Sequence, residues 1–310
     1  MKILVAGGFG FVGARVAQAL SLAGHEVLLG TRSARGVPAW LPHANVRIMD
    51  WRSITSLQEA CTGVDAVIHA AGMNAPACAA DQVAALEFNG LATARLVEAA
   101  VAMNVARFFY CSTAHVYASP LQGEIDEQSC PRNTHPYASS HLAGEFALLH
   151  ALSTNRIAGG VLRLSNGFGV PLASDADCWT LLINDLCRQG ATSGRLVLQS
   201  WGLQQRDFLP LTAVSDCFLS LIELPAESLP PILNLGRGES QTVLQMTQLI
   251  QARCQAVLGF TPTVETGSRQ ESPLPLRFIS RHAARLGLPP ADPLAEIDGL
   301  LAFCKEHFAA

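Results

Sequence analysis

No stretch of this 310-residue chain approaches the eighteen or so unbroken apolar residues that a membrane span requires. The opening run Met1–Ala6 meets Gly7-Gly8 too soon to serve as the apolar core of a signal peptide. The nine cysteines, at 61, 78, 111, 130, 178, 187, 217, 254 and 304, include no two that lie two or three residues apart, which excludes paired-cysteine zinc and thioredoxin-like motifs. An odd, dispersed set suits a reducing compartment better than a disulfide scaffold. A basic excess is missing too: the formal net charge is −4, so there is no electrostatic footprint for nucleic acid. Internal repeats and low-complexity tracts are absent, and the charge runs are too short to form a tail. These absences leave an expected soluble, cytoplasmic protein with no membrane partner, no nucleic-acid partner and no metal. With 49% hydrophobic residues it can build one large domain or two modest ones.

What is present is alternation. Ile3–Ala6 reads as a buried strand, and Phe11–Ala23 as an amphipathic helix that Gly24 stops. Strands at Glu26–Leu29, Val46–Met49 and Ala66–His69 follow, then a long Ala-rich helix over Gln82–Met103, a strand at Arg107–Ser112, a helix over Tyr137–Leu152 and a strand at Gly160–Leu164. This order predicts an α/β fold: a doubly wound parallel sheet, built by right-handed crossovers and covered on both faces. Beyond residue 166 prolines become frequent and the pattern loosens. The expected division is 1–165 for the sheet-forming lobe, completed by part of 208–236, and 166–310 mainly for a smaller α/β lobe.

The segment "ILVAGGFGFVGARV" places Gly7, Gly8, Gly10 and Gly13 between a strand and a helix. A tight turn there needs positive φ, and a pyrophosphate comes close only where no Cβ intrudes. The helix that starts near Phe11 aims its N-terminal N–H groups at that phosphate, so Phe9, Phe11 and Val12 border it. The pattern follows a strand and opens a helix, the context in which it marks a dinucleotide site. The end of the second strand decides which dinucleotide. An Asp or Glu there suits the ribose of NAD. This chain has Thr31 followed by Arg32, which repel no 2′-phosphate and can pair with one, so NADP is favoured over the alternative, NAD. Asp50 and Trp51, after the third strand, are placed to meet the adenine; Asp50 serves equally as a cap before the next helix.

Several further motifs accompany the glycine loop: "HAAG" (His69, Ala70, Ala71, Gly72), Asn89 in the long helix, "CSTAHVY" at 111–117, "YASSH" at 137–141, "RLSNGFGVP" at 163–171, "RDF" at 206–208 and "NLGRGES" at 234–240. With these the chain resembles the extended short-chain dehydrogenase/reductase family of nucleotide-sugar epimerases, dehydratases and 4-ketoreductases, over nearly its whole length. The resemblance implies a Rossmann-type lobe with a small C-terminal lobe, a nucleotide sugar in the cleft between them, and a homodimer paired through the long helix and the tyrosine helix. It assigns Tyr137 as acid/base and Thr113 as the hydroxyl that holds the substrate oxygen, with Ser112 the alternative to Thr113. His69–Gly72, Asn89, Ser112 and Leu164 would line the cofactor site. Asn166 and Arg206 would hold the substrate's nucleotide and diphosphate. Asn74 and Asn133 lie on loops where they can bind sugar hydroxyls or simply shape turns, and Arg277 and Arg281 are further candidates for the diphosphate.

Two positions depart from the family. The lysine that binds the nicotinamide ribose and lowers the tyrosine pKa is replaced by His141. It shares a helix face with Tyr137, and at its ordinary pKa it would be about a quarter charged at neutral pH. Ribose binding is then expected to survive while tyrosine activation weakens, and activity to depend strongly on pH. The Asp-Glu pair that 4,6-dehydratases carry after the threonine is replaced by Ala114-His115, which argues against dehydration. The readings left open are an NADP-dependent reductase, an epimerase that retains its cofactor, and a dinucleotide-binding protein without turnover.

Overall fold

The structure, a computed structural model, describes residues 1–268, 274–287 and 292–309. Seven parallel strands form the central sheet in the spatial order Ile232–Leu235, Ala158–Leu164, Arg107–Thr113, Ala66–His69, Lys2–Ala6, Glu26–Thr31, Asn45–Ile48. The expected doubly wound parallel α/β sheet is therefore present. Its strands are apolar runs rather than alternating ones because both faces are covered. Within Lys2–Ala6, Ile3 and Val5 pack under the helices Phe11–Leu22 and Leu211–Glu223. Leu4 and Ala6 pack under Ile54–Cys61, Thr93–Ala102 and Pro136–Ser153. Period two along the strand thus feeds two separate cores from one sequence.

Helix ends follow local chemistry. Phe11–Leu22 stops at Gly24, which takes φ +88°. Ile54–Cys61 begins at Ser53, whose hydroxyl accepts from the Ser56 N–H. The expected helix over Gln82–Met103 is present but not uniform: Leu86–Ala92 winds as a π-helix. The extra residue per turn brings Asn89 fully inward, where its side chain finds partners from two other segments.

The second half builds on the edge of this sheet. Asn166–Phe168, Gln205–Pro210 and Ser240–Thr242 form a small mixed sheet, and Leu182–Ser193, Val243–Leu258 and Pro293–Phe308 enclose their own core beside it. Buried Glu296, on the last of these helices, grips Arg15 of the first helix at 2.6 Å and accepts the backbone N–H groups of Val170 and Thr212. Among the described residues no helix is long and apolar enough to cross a membrane.

Candidate active site

The first strand ends in Gly7, which adopts φ +85°; a Cβ there would lie 2.6 Å from the Ala71 nitrogen. A Cβ at Gly13 would collide with the Gly7 carbonyl. The turn is tied by the Gly7 and Gly8 N–H groups, both donating to the Gly30 carbonyl, and by the Gly10 N–H donating to Gly7. Gly10 is the N-cap of Phe11–Leu22, so no side chain covers the first-turn N–H groups. They open into a cleft of about 510 Å³ at the C-terminal ends of the strands. A glycine-walled approach and an uncapped positive helix end fit the pyrophosphate of a dinucleotide.

The cleft brings together Gly10, Phe11, Val12, Ala70, Ala71, Gly72, Ser112, Thr113, Leu164, Tyr137 and His141, together with Asn74, Asn166 and Arg206. Thr113 is the last residue of its strand, and Tyr137 sits in the first turn of Pro136–Ser153, where Pro136 pre-sets the helical φ and the His135 ring accepts the Tyr137 N–H. Burial pushes the Tyr137 phenol above its ordinary pKa, and a hydrogen bond with Thr113 offsets this in part.

The His141 ring lies edge-on to Tyr137, centroids 4.7 Å apart. It is only 5% exposed, and burial pulls its pKa down to about 4. The expectation of a partly charged imidazole is corrected here: it assumed a solvated ring, and desolvation leaves His141 neutral at pH 7. The chain has two lysines, Lys2 and Lys305, and neither lines the cleft.

Behind this surface stands a polar frame. Ser112 donates to Glu145 at 2.5 Å, and Glu145 forms a two-pronged pair with Arg163. The Ser112 hydroxyl is thus committed, which leaves Thr113, whose oxygen accepts the His115 N–H, as the hydroxyl beside the phenol. Asn89 accepts the Met73 N–H and donates to Ser140, so it braces the loop after Ala66–His69 without lining the cleft. His69 is likewise internal. Its Nε2 meets Thr93 at 2.8 Å, and burial drives its pKa down to about 3.

Other sequence candidates lie at the margins. Thr31 is buried and its hydroxyl donates to the Ser33 carbonyl. Arg32, Trp51, Arg52, Phe88 and Arg95 surround a second hollow of about 350 Å³. Asp50 caps its own turn by accepting the Arg52 N–H, and Ser53 caps the helix that follows. Phe9 packs edge-on against Trp40, beneath Arg35. Asn74 caps Ala75–Ala80 and donates to Asp177 at 2.7 Å across the cleft mouth. Asn133 is absent from the cleft lining; it donates to the His115 carbonyl and accepts the His135 N–H. Arg277 and Arg281 also lie outside the lining, paired with Glu124 and Asp126. Arg206 differs from both, for it faces the cleft and has no hydrogen bond or ion pair among the described residues. Burial, and after it the charge of Arg206, lowers the His115 pKa. The segment around Thr180–Ile183 and the side chains of Phe208 and Leu211 complete the wall. Of these, only Phe208 falls in a motif read from the sequence, "RDF" at 206–208.

Comparison with known proteins bears on this arrangement. The model of the NAD dependent epimerase/dehydratase family matches residues 3–236. The dTDP-6-deoxy-L-talose 4-dehydrogenase (NAD(P)(+)) of Kitasatospora kifunensis is 30% identical over 257 residues, covering 80% of this chain and 78% of that protein. The UDP-glucose 4-epimerase of Streptomyces lividans is 27% identical over 270 residues, 81% of this chain and 80% of that one. Among solved structures, the UDP-glucuronic acid 4-epimerase from Bacillus cereus in complex with UDP-glucuronic acid and NAD superposes with a TM-score of 0.80 at 20% identity, covering 99% of this chain and 100% of that one.

Proposed function

The chain belongs to the NAD dependent epimerase/dehydratase family, whose members include nucleotide-sugar epimerases, dehydratases and dehydrogenases, and on that premise we propose that it reduces a keto carbon of a nucleotide-activated sugar with NADPH. The observation that carries this is the state of Tyr137. Its phenol is held above its ordinary pKa, and the group beside it is a neutral imidazole rather than a cation. Reduction of a ketone needs a proton donor at the developing alkoxide, which a protonated phenol is. Oxidation needs the phenolate, which this environment disfavours. Epimerisation requires both directions at one carbon and is the less supported reading.

When bound, the dinucleotide supplies the hydride exchanged with the substrate carbon. The chain's own groups do the rest. The uncapped helix end and the glycine turn hold the pyrophosphate. Thr113 donates to the substrate oxygen and Tyr137 protonates it. Arg206 meets the diphosphate as an otherwise uncompensated cation. Around the second hollow Arg52 is paired with Glu87, and Arg32 supports NADP over NAD. In this reading residues 1–165 carry the cofactor and 166–310 most of the substrate contacts. A homodimer belongs to the same proposal: Val83, Leu86, Leu91 and Phe146 are exposed on the two helices that meet where Gly90 faces Ala143.

The test mixes the purified protein with NADPH or NADH and a panel of keto nucleotide sugars. Stoichiometric loss of NADPH with no dinucleotide retained through purification is expected, and Arg206→Ala should raise KM for the sugar at least tenfold, the scale of a lost charge-assisted contact. Tightly retained NAD with interconversion of two sugars and no net NADPH loss would select the epimerase instead.

A further inference from the structure

One interior group near the site remains unassigned. Tyr110 is fully buried in the strand Arg107–Thr113, and its hydroxyl lies 2.8 Å from Nδ1 of His141. The two rings are nearly parallel with centroids 5.8 Å apart, and Tyr110 also stacks on His69 at 5.0 Å. A buried phenol in contact with both rings cannot turn away without disturbing the two histidines.

The hydrogen bonds of this cluster constrain where its protons lie. The Asn89 carbonyl can only accept, so the Thr93 hydroxyl gives it its one proton, at 2.7 Å. His69 Nε2, 2.8 Å from that same hydroxyl oxygen, must then be the donor. This leaves His69 Nδ1 bare, in agreement with its having no partner although buried. The Tyr110 hydroxyl faces Nδ1 of the other imidazole, in a setting where burial and the charge of Glu145 keep the phenol protonated. With that hydroxyl donating to Nδ1, the remaining proton of His141 lies on Nε2. That end of the ring lies behind Gly72 on the cleft wall, where an added Cβ would sit 3.4 Å from Cε1 and 3.6 Å from Nε2. No protein group bonds Nε2 among the described residues.

We propose that Tyr110 is a positioning residue: its hydroxyl locks His141 into the tautomer that presents Nε2–H to the bound dinucleotide, so that a tyrosine–histidine relay supplies the hydrogen bond given elsewhere in the family by a lysine. The ligand half of this inference rests on the functional reading above; the tautomer half does not. Gly72 belongs to the same device, because a side chain there would shield the N–H from the cleft.

The test uses the full chain with isotope-labelled histidine. NMR of the ligand-free wild type, with His141→Gln for assignment, is expected to show His141 protonated at Nε2 and bare at Nδ1; protonation at Nδ1 overturns the proposal. Tyr110→Phe keeps the ring and the stack but removes the hydroxyl. It should weaken NADPH binding about fivefold, the scale of one oriented hydrogen bond, and populate both tautomers. In a His141→Lys background the same Tyr110→Phe change should alter binding less than twofold, because a lysine has no tautomer to lock. Equal losses in both backgrounds would show that Tyr110 serves structure alone and would overturn the proposal. A wild type with the expected tautomer that binds neither NADPH nor NADH would overturn the functional reading and the ligand half with it.

Discussion

Replacement of Glu145 by alanine isolates the energetics of the frame behind the site. Glu145 is 0% exposed and Arg163 3% exposed, and their two-pronged pair joins the tyrosine helix to the strand Ala158–Leu164. Glu145→Ala leaves a guanidinium in the interior without a counter-charge and Ser112 without its acceptor. Breaking such a pair from one side costs about 3–5 kcal/mol, a large share of the roughly 5–15 kcal/mol by which domains are stable. At about 2 °C per kcal/mol, suited to a chain of this size, the thermal midpoint should fall by roughly 6–10 °C. Calorimetry at neutral pH measures this. The double variant Glu145→Leu with Arg163→Met removes both charges and fills the space with apolar atoms, so it should regain most of the loss. A midpoint within 2 °C of wild type for the single variant, or a double variant no better than the single, would refute the account of this pair as a desolvated couple whose halves depend on each other.

Acid should destabilise the fold through its buried imidazoles. His141 has a folded pKa near 4 against an ordinary 6.5, so between those values the unfolded chain binds more protons. Stability is then full above pH 6.5 and declines as pH falls toward 4, by about 3 kcal/mol for this residue. His69 adds a loss of the same sign down to about pH 3, and urea titrations of His141→Gln should show a shallower decline over that window than the wild type. In catalysis, His141→Lys should lower the apparent pKa of the oxidation direction by more than one unit; an unchanged acid limb would contradict the role given to the missing charge. Gly7→Ala puts a Cβ at φ +85° and 2.6 Å from the Ala71 nitrogen, so dinucleotide affinity measured by calorimetry should fall more than tenfold, with a stability loss of about 1–3 kcal/mol.

The parts of the molecule legible in the sequence are those encoded locally. The strand–helix alternation through residue 164 and the glycine turn depend on residues within one or two turns of each other, and the structure places these elements within a few residues of their expected ends. The π-turn at Leu86–Ala92 was not legible, because what makes it favourable is the reach of Asn89 to Met73 and to Ser140, 51 residues away. The neutrality of His141 follows from packing by Tyr110, Gly72 and Tyr137, and a helix position shared with Tyr137 does not reveal how deeply that face is buried. Arginines show the same limit. The sequence favours Arg206 by its motif and leaves Arg277 and Arg281 as further candidates, and only the fold shows that carboxylates at Glu124 and Asp126 claim those two while Arg206 faces the cleft unclaimed.

The grip of Glu296 on Arg15 spans 281 positions and reaches back to the helix whose open end faces the phosphate cradle. A chain emerging from the ribosome can close its glycine turn early, but it cannot anchor the helix that follows until residue 296 has been synthesised. Nascent chains would therefore acquire a firm cleft late, well after its far wall, Phe208 and Leu211 included, has been made.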